Sequence, residues 1–179
     1  MLQVVRAKLH GIRVTSTELD YHGSITLDPQ LCEKAGIRPL EFVDIFNKSN
    51  GARWYTYVIY GERGSRCCVL NGPSARNCQN GDAVIICASA YIEEEQLYAI
   101  KPRVLTFTPS NEIEDTLHYE VTKSPEAEFE FKMVLEQSAN RVRAVDQIDV
   151  AAISADLRKR GLTDHAIADF IACHLKRAR

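Results

Sequence analysis

The sequence has 179 residues, of which 45% are hydrophobic and 26% charged, with a formal net charge of −2. This length supports one hydrophobic core and a small appendage. The near-neutral charge excludes the basic surface typical of nucleic-acid-binding proteins and gives no reason to expect binding to an anionic membrane. No apolar run approaches the length that spans a bilayer.

The amino-terminal stretch "MLQVVRAKLHG" alternates apolar and polar residues and lacks the apolar centre and small-residue cleavage site of a signal peptide. We interpret it as a first β-strand. The cysteines form no CxxC pair and lie mostly in apolar runs; they are Cys32, Cys67, Cys68, Cys78, Cys87 and Cys173. This distribution predicts small buried thiols, no metal site and a cytoplasmic, reduced protein.

Residues 1–123 are predicted to be all-β. Short apolar runs such as "SITLD", "EFVDIFNKS", "RWYTYVIYG" and "DAVIICASAYI" are separated by turn signals. Among these signals are the pairs Asn50-Gly51, Asn71-Gly72 and Asn80-Gly81. Many short strands at this spacing predict a barrel or a sandwich.

One short helix is predicted within this region, at "DPQLCEKAGI". Asp28 can accept a hydrogen bond from the first helical turn, and Pro29 suits the first helical position. Gly36 can adopt the left-handed conformation that ends a helix.

From about residue 124 the pattern changes. Phe129, Phe131, Met133 and Leu135 alternate with charged residues, which predicts an exposed or edge strand. Two short helices are predicted at about 149–160 and 164–177, with Gly161 ending the first and Thr163 capping the second. Their apolar stripes consist of Val150, Ile153 and Leu157, and of Ile167, Phe170, Ile171 and Leu175. We therefore divide the chain into a barrel domain, 1–123, and an extension of unknown function, 124–179, formed by a strand and a helical hairpin.

The stretch "LDYHGSITLD" places Gly23-Ser24 between two half-strands. By itself this dipeptide predicts a turn, and the alternative is that its peptide bond is cleaved. The motif Lys8-Leu9-His10 precedes this dipeptide. After it comes the stretch "NGARWYTYVI", which contains Arg53, Thr56 and Tyr57. This stretch is followed by "ERGSR", "LNGPSAR" and "NGDAVII". In this order and spacing, residues 1–110 resemble the pyruvoyl-dependent L-aspartate α-decarboxylases of bacteria.

The resemblance implies a double-psi β-barrel that is made as an inactive precursor, a zymogen, and cleaves itself between Gly23 and Ser24. Ser24 Oγ is expected to attack the Gly23 carbonyl in an N→O acyl shift, and Gly23 is expected to permit a strained turn with no bulk on the acyl side. Thr56 is expected to donate a hydrogen bond to the oxyanion. Elimination and hydrolysis then leave a pyruvoyl group at position 24, so neither a metal nor pyridoxal phosphate is expected.

The resemblance also implies the residues of the substrate site. The pyruvoyl group derived from Ser24 is expected to form a Schiff base with the substrate amine and to accept the electrons left when CO₂ departs. Tyr57 is the expected proton donor, and Arg53 and Lys8 are expected to bind the substrate carboxylates. The rest of the expected pocket is formed by Thr56, Asn71, Gly72, Pro73 and Ser74.

Each of these residues also has an ordinary structural interpretation. Arg53 is then a solvated strand residue, and Tyr57 is a tyrosine of the barrel core or surface. Lys8 is a charge on an edge strand, and Asn71-Gly72 is a hairpin turn. His10 is interpreted as structural, and the role of His22 is left open. The joint occurrence of the motifs in the family's order favours the catalytic interpretation.

Two features depart from the family pattern. Pro73-Ser74 replaces an alanine-rich run, which removes a backbone donor and adds a hydroxyl, and His22 replaces a residue that is commonly acidic. We expect a lyase that converts L-aspartate to β-alanine and CO₂ for pantothenate biosynthesis. The alternatives are the same chemistry on another amino acid such as glutamate, or an uncleaved barrel that binds a ligand or partner. The resemblance further implies a homotetramer, and whether a maturation factor assists cleavage is left open.

Overall fold

The protein is described by a computed structural model that covers residues 1–136, 154, 157–159 and 161–168. The chain divides into two compact units, Met1–Glu136 and Gln137–Arg179. The first unit is mainly β, as predicted. It includes residues 124–136, which the sequence interpretation had grouped with the extension.

The strands of the first unit form one sheet in the order β10-β9-β8-β1-β7-β4-β5-β3-β6-β2. Their bounds are β1 Leu2–Arg13, β2 Ser16–Glu18, β3 Ser24–Leu27, β4 Phe42–Asn47, β5 Arg53–Tyr60, β6 Cys68–Asn71, β7 Ala83–Ile92, β8 Arg103–Phe107, β9 Ile113–Thr122 and β10 Glu130–Leu135. The pairs β1–β8, β2–β6 and β3–β5 are parallel, and the remaining pairs are antiparallel. This arrangement is consistent with the double-psi β-barrel that the resemblance implies, and the prediction of fold class is confirmed.

Alternate residues of the strands pack into one hydrophobic core. Its fully buried side chains include Leu9, Ile12, Ile25, Leu27, Ile45, Val58, Leu70, Ile86 and Leu105. Because successive strand residues point to opposite faces, a slip of one residue would move a strand's apolar side chains out of this core. The core therefore fixes the register of β3 against β5 and β6, on which the site depends.

The predicted helix is confirmed as α1, Pro29–Ala35. The Asp28 carboxylate accepts a hydrogen bond from the backbone N–H of Gln30 at 2.8 Å, and Gly36 ends the helix at φ +84°. The cap and the stop were both visible in the sequence, because both are local features of the chain.

Asp28 also binds the loop that follows β5. Its carboxylate accepts hydrogen bonds from the backbone N–H groups of Gly64 at 3.1 Å and Arg66 at 2.7 Å. Burial by itself raises the pKa of Asp28, but the hydrogen bonds from Arg66, Gln30 and Gly64 and the charge of Arg63 outweigh it and hold the pKa below its usual value. Ionised Asp28 therefore ties together the end of β3, α1 and this loop.

The predicted edge strand is confirmed as β10, which pairs with β9 alone at one end of the sheet. Three of its apolar residues are exposed, Phe131 at 62%, Met133 at 68% and Leu135 at 40%. β9 has no clear strand signal in the sequence, because "IEDTLHYEVT" intersperses charged and polar residues among the apolar ones.

The cysteines that the structure describes are all free: Cys32, Cys67, Cys68, Cys78 and Cys87. Burial raises the pKa of the Cys32 thiol to about 12 and that of Cys78 to about 11, and it also raises the pKa of Cys68. Raised thiol pKa values disfavour the reactive thiolate, in agreement with the predicted role as small buried side chains. Cys173 lies outside the described residues.

The described part of the second unit contains helical residues at Ser154, at 157–159 and at 164–168. Gly161 has φ +86°, as a helix stop requires, and Thr163 Oγ1 accepts a hydrogen bond from the backbone N–H of Ala166 at 3.3 Å. Other members of the predicted stripes lie outside the described residues: Val150, Ile153, Phe170, Ile171 and Leu175. Among the described residues, no helix has both the length and the apolar character needed to cross a membrane.

Candidate active site

Ser24 begins β3 and lies directly opposite Asn71, the last residue of β6. Both side chains are buried, at 1% and 3% exposure. The Asn71 amide nitrogen Nδ2 donates a hydrogen bond to Ser24 Oγ at 2.9 Å, and Ser24 Oγ lies 3.5 Å from the His22 carbonyl oxygen, to which it can donate. The serine hydroxyl is therefore shielded from water and has a fixed donor.

Gly72 follows Asn71 and packs against the peptide that precedes Ser24. A Cβ atom at Gly72 would lie 2.7 Å from the Tyr21 carbonyl oxygen and 3.0 Å from the Gly23 nitrogen. Its φ of +61° is in the left-handed region that favours glycine. Glycine at position 72 therefore allows the start of the 3₁₀ helix Gly72–Asn77 to approach the segment that precedes the candidate cleavage bond.

The Asn71-Gly72 pair is not a hairpin turn. β6 ends at Asn71, and the chain continues into a 3₁₀ helix rather than reversing into a paired strand. The turn predicted at Asn50-Gly51, by contrast, joins the antiparallel strands β4 and β5.

The backbone of Gly23 is not in the left-handed region. It is not among the described residues with positive φ, so the left-handed conformation lies at Gly72 and not at Gly23. A Cβ at Gly23 would meet Pro73 Cδ at 3.6 Å, an ordinary van der Waals contact. The close packing around the bond comes from Gly72 on the neighbouring element.

β5 lies beside β3 and carries three of the predicted site residues. Ile25 of β3 is in register with Val58 of β5, and Ser24 and Tyr57 each precede these partners by one residue. Tyr57 is half-buried, and its ring centroid lies 5.9 Å from that of Phe42. The parallel register therefore brings Tyr57 alongside Ser24.

Arg53 and Thr56 lie on opposite faces of β5. Thr56 is 7% exposed, whereas Arg53 is exposed at the start of the strand, with its guanidinium carbon 5.3 Å from the Phe46 ring centroid. Because strand residues alternate, Arg53 shares its face with Tyr57, and Thr56 points to the buried side.

Lys8 lies on β1, and three strands, β7, β4 and β5, stand between β1 and β3 in the sheet order. Its neighbours on the paired strands are Cys87 and Val104. Within the described part of the chain the Lys8 ammonium forms no hydrogen bond or ion pair, which leaves it available to an anion. The sheet order of this chain does not place Lys8 next to Ser24.

The two histidines near the predicted site differ in their surroundings. His10 lies on β1, and burial together with the charges of Lys8 and Lys48 lowers its pKa. The His22 ring is exposed and contacts the Tyr21 ring with centroids 5.8 Å apart, and only its backbone carbonyl lies near Ser24.

Pro73 and Ser74 form the first turn of the 3₁₀ helix after Gly72. Pro73 is exposed, and Ser74 is 6% exposed. The Ser74 carbonyl accepts a weak hydrogen bond from Cys78 Sγ at 3.7 Å. The structure thus brings Ser24, Asn71, Gly72 and Pro73 together around one peptide bond.

Sequence reasoning missed Thr26. The same Asn71 Nδ2 that donates to Ser24 Oγ also donates to Thr26 Oγ1, at 2.8 Å. The signal was present in the sequence, because residues two apart in a strand point to the same face. It could be used only once the register of β3 against β6 was known.

Comparisons with known proteins identify the family of this chain. The family model described as "Aspartate decarboxylase" matches residues 1–114. The aspartate 1-decarboxylase of Paramagnetospirillum magneticum is 51% identical over 177 residues, which cover 97% of this chain and 98% of the relative. The aspartate 1-decarboxylase of Agrobacterium fabrum is 62% identical over 131 residues, which cover 73% of this chain and 84% of the relative. The aspartate 1-decarboxylase of Rhodospirillum centenum is 58% identical over 132 residues, which cover 74% of this chain and 87% of the relative. The chain belongs to the aspartate decarboxylase family.

Proposed function

We propose that this protein is a pyruvoyl-dependent enzyme that converts L-aspartate to β-alanine and CO₂, supplying pantothenate biosynthesis, after cleaving its own chain between Gly23 and Ser24. The single observation that carries the proposal is the geometry of Ser24 in a chain of this family. The Ser24 hydroxyl is buried and accepts a hydrogen bond from Asn71. The peptide that precedes Ser24 packs against Gly72.

The first step of the proposed cleavage uses the Ser24 hydroxyl. Ser24 Oγ bonds to the Gly23 carbonyl carbon, the peptide C–N bond breaks, and the hydroxyl proton passes to the Ser24 nitrogen, which leaves an ester. A hydroxyl oxygen has two lone pairs, and the Asn71 N–H occupies one of them. The other remains for the attack, while burial protects the resulting ester from water.

The second step breaks the Ser24 Cβ–Oγ bond after loss of the Ser24 α-proton. The oxygen leaves as part of the Gly23 carboxylate, and hydrolysis of the unsaturated residue left at position 24 releases ammonia and gives a pyruvoyl group. That group supplies an electron sink for decarboxylation. The residues present fit such a group, because Asn71 lies directly opposite position 24 and its buried amide nitrogen would donate a hydrogen bond to a carbonyl oxygen there.

The substrate residues are assigned by their position and chemistry. Tyr57, alongside Ser24 in the parallel register, would protonate the carbon that has lost CO₂. Arg53, on the same face of β5, would bind a substrate carboxylate through its planar guanidinium. Thr56, on the buried face, would act in chain cleavage, as the oxyanion donor.

A homotetramer with shared sites accommodates Lys8. Three strands separate β1 from β3 within one chain, so a Lys8 ammonium supplied by a neighbouring subunit is the arrangement we propose. Exposed aromatic side chains support an assembly, since Phe42 is 61% exposed, Tyr55 70% and Tyr91 66%. The free cysteines fit a reducing compartment, and we place the enzyme in the cytoplasm.

Denaturing mass spectrometry of the purified full chain, with an assay for β-alanine, tests this function. We expect a fragment of residues 1–23, a second chain that begins at position 24 without an N-terminal amine, and β-alanine formed from L-aspartate. L-Glutamate serves as the competing substrate because Pro73-Ser74 borders the site. A chain that stays intact and forms no β-alanine, even after incubation in cell extract, would support the alternative of a binding barrel. Cleavage only in the extract would indicate a maturation factor.

A further inference from the structure

We propose that Thr26 is a positioning residue for the oxygen at position 24. Its hydroxyl holds the Asn71 carboxamide in the orientation that delivers an N–H group to Ser24 Oγ. This inference rests on the proposed self-cleavage at Gly23–Ser24 and assigns it a residue outside the set predicted from the sequence.

Two hydrogen bonds fix the Asn71 carboxamide. Nδ2 carries two hydrogens, and it donates to Ser24 Oγ at 2.9 Å and to Thr26 Oγ1 at 2.8 Å. A single contact would leave the amide free to rotate about its terminal torsion, which has a broad preference. Asn71 is only 3% exposed, so a buried N–H would lose its partner if the Thr26 hydroxyl were absent.

Gly61 leaves room for the methyl group of Thr26. A Cβ atom at Gly61 would lie 2.9 Å from Thr26 Cγ2 and 2.6 Å from Cys67 Sγ. The threonine methyl group thus occupies space that exists only because residue 61 lacks a side chain. With the methyl group in this space, Oγ1 lies toward Asn71 and accepts the hydrogen bond at 2.8 Å, which a serine hydroxyl at the same position can also accept.

The positioned N–H acts mainly in the elimination step. When the Cβ–Oγ bond of the ester breaks, the bonding electrons pass to Oγ, which leaves as a carboxylate oxygen of Gly23. A fixed donor at that oxygen stabilises the developing negative charge. The acyl shift itself connects a neutral amide to a neutral ester and depends less on this donor. Loss of the Thr26 hydroxyl should therefore cause the ester to accumulate.

The test compares Thr26→Val, which keeps the shape of the side chain but removes the acceptor, with Thr26→Ser, which keeps the hydroxyl. Thr116→Val is the matched control, because Thr116 is a half-buried strand threonine on β9 whose hydroxyl forms no hydrogen bond within the described residues. Full-length chains purified after brief expression are incubated, and cleavage is followed by denaturing mass spectrometry. Parallel samples receive hydroxylamine at neutral pH, which cleaves the ester after Gly23; the masses of the fragments distinguish this cleavage from cleavage at the three Asn-Gly pairs, which hydroxylamine also attacks.

For Thr26→Val we expect formation of the pyruvoyl chain to slow by roughly threefold to tenfold, the scale of one lost hydrogen bond. A larger hydroxylamine-sensitive fraction should appear in the same samples. Thr26→Ser and Thr116→Val should process like the wild type. Thermal unfolding shows which variants are folded, and Thr26→Ala provides the same comparison if the valine variant does not fold.

The outcomes separate this inference from the function on which it rests. A wild-type chain that never cleaves would contradict the proposed function itself. A wild-type chain that cleaves, together with a Thr26→Val chain that cleaves equally fast without ester accumulation, would overturn the role of Thr26 alone. A Thr26→Ser chain as slow as Thr26→Val would also overturn it, because the side chain would then act through packing.

Discussion

The strand pairs β3–β6 and β9–β10 are both antiparallel, yet they differ in which side chains are buried. In the first, Ser24 and Asn71 are polar and buried, and each has a hydrogen-bond partner. In the second, Phe131 and Met133 are apolar and exposed. A buried polar group without a partner is destabilising, whereas an exposed apolar side chain on an edge strand is tolerated.

The difference indicates where the chain is sensitive to substitution. Around Ser24 each donor, acceptor and empty space is set by a neighbour on another strand, so one atom added or removed changes the geometry of the reacting bond. Along β10 the ion pair between Lys132 and Glu130 is exposed, and such pairs contribute little to stability. Substitutions should therefore have graded effects that fall from the β3–β6 ladder to the other end of the chain.

The largest effect is expected for Ser24→Ala. Without the hydroxyl no acyl shift can occur, so the chain should stay full length and form no β-alanine. The fold should survive, because alanine is smaller than serine and apolar at a buried position. Denaturing mass spectrometry and circular dichroism measure both results. Two fragments from the Ser24→Ala chain would remove Ser24 as the nucleophile.

Tyr57→Phe should separate turnover from cleavage. The ring and its packing on Phe42 remain, but the hydroxyl that we assign as proton donor is lost. We expect complete chain cleavage and a fall in kcat of about 10²–10⁴, the range typical of a lost acid–base group. Steady-state assays on the fully cleaved variant make the measurement. A kcat equal to that of the wild type would require a different donor.

Gly72→Ala tests the close packing against the cleavage bond. The added Cβ would lie 2.7 Å from the Tyr21 carbonyl oxygen, in a residue with φ +61°. We expect cleavage to slow by about tenfold or more, because strain at such a position must displace the neighbouring backbone.

Gly81→Ala is the control for this prediction. Gly81 has φ +89°, but a Cβ there would meet nothing within 4 Å. Both variants should lose about 1–2 kcal/mol of stability from the left-handed backbone, and only Gly72→Ala should impair cleavage. Equal cleavage rates in the two variants would show that the contact with Tyr21 and Gly23 is unimportant.

Asp28→Asn examines the far end of β3 through the pH dependence of stability. The folded-state pKa of Asp28 is lowered, so its ionised form stabilises the fold above the ordinary aspartate pKa of about 3.9. This contribution is lost as the pH falls through the lowered folded-state value. Denaturant unfolding should show a loss of roughly 1–3 kcal/mol in the variant at neutral pH, and a smaller difference from the wild type in acid. Asp20→Asn, at an exposed position, is the control for the loss of one negative charge.

What the sequence could predict was local or carried by the family's motifs. The cap at Asp28, the stop at Gly36 and the edge strand β10 follow from patterns within a few residues. The partnership of Thr26 with Asn71 could not be predicted in this way, because it depends on the pairing of residues 45 positions apart. The close approach of Gly72 to the Tyr21 carbonyl oxygen and the Gly23 nitrogen could not be predicted for the same reason, since it is made from another element.

The smallest effect is expected at the other end of the chain, for truncation after Glu136. The first compact unit ends at this residue and contains every residue that we assign to the site. Cleavage and β-alanine formation should stay within about twofold of the full chain, as expected when a separate compact unit is removed. Any loss should appear in solubility, assembly or thermal stability.

Truncation after Val121 gives the comparison that locates this boundary. It removes β10 and Thr122, the last residue of β9, and leaves the rest of β9 without its outer partner and with an open edge. We expect a lower unfolding temperature and more aggregation than after truncation at Glu136, with the same chemistry at Ser24 in the soluble fraction. Cleavage is read by mass spectrometry and assembly by light scattering. If the chain truncated after Glu136 is fully cleaved and keeps the oligomeric state of the full chain but no longer forms β-alanine, residues 137–179 contribute to the active site. The expectation that changes at the carboxyl-terminal end of the chain leave catalysis unaffected would then be wrong.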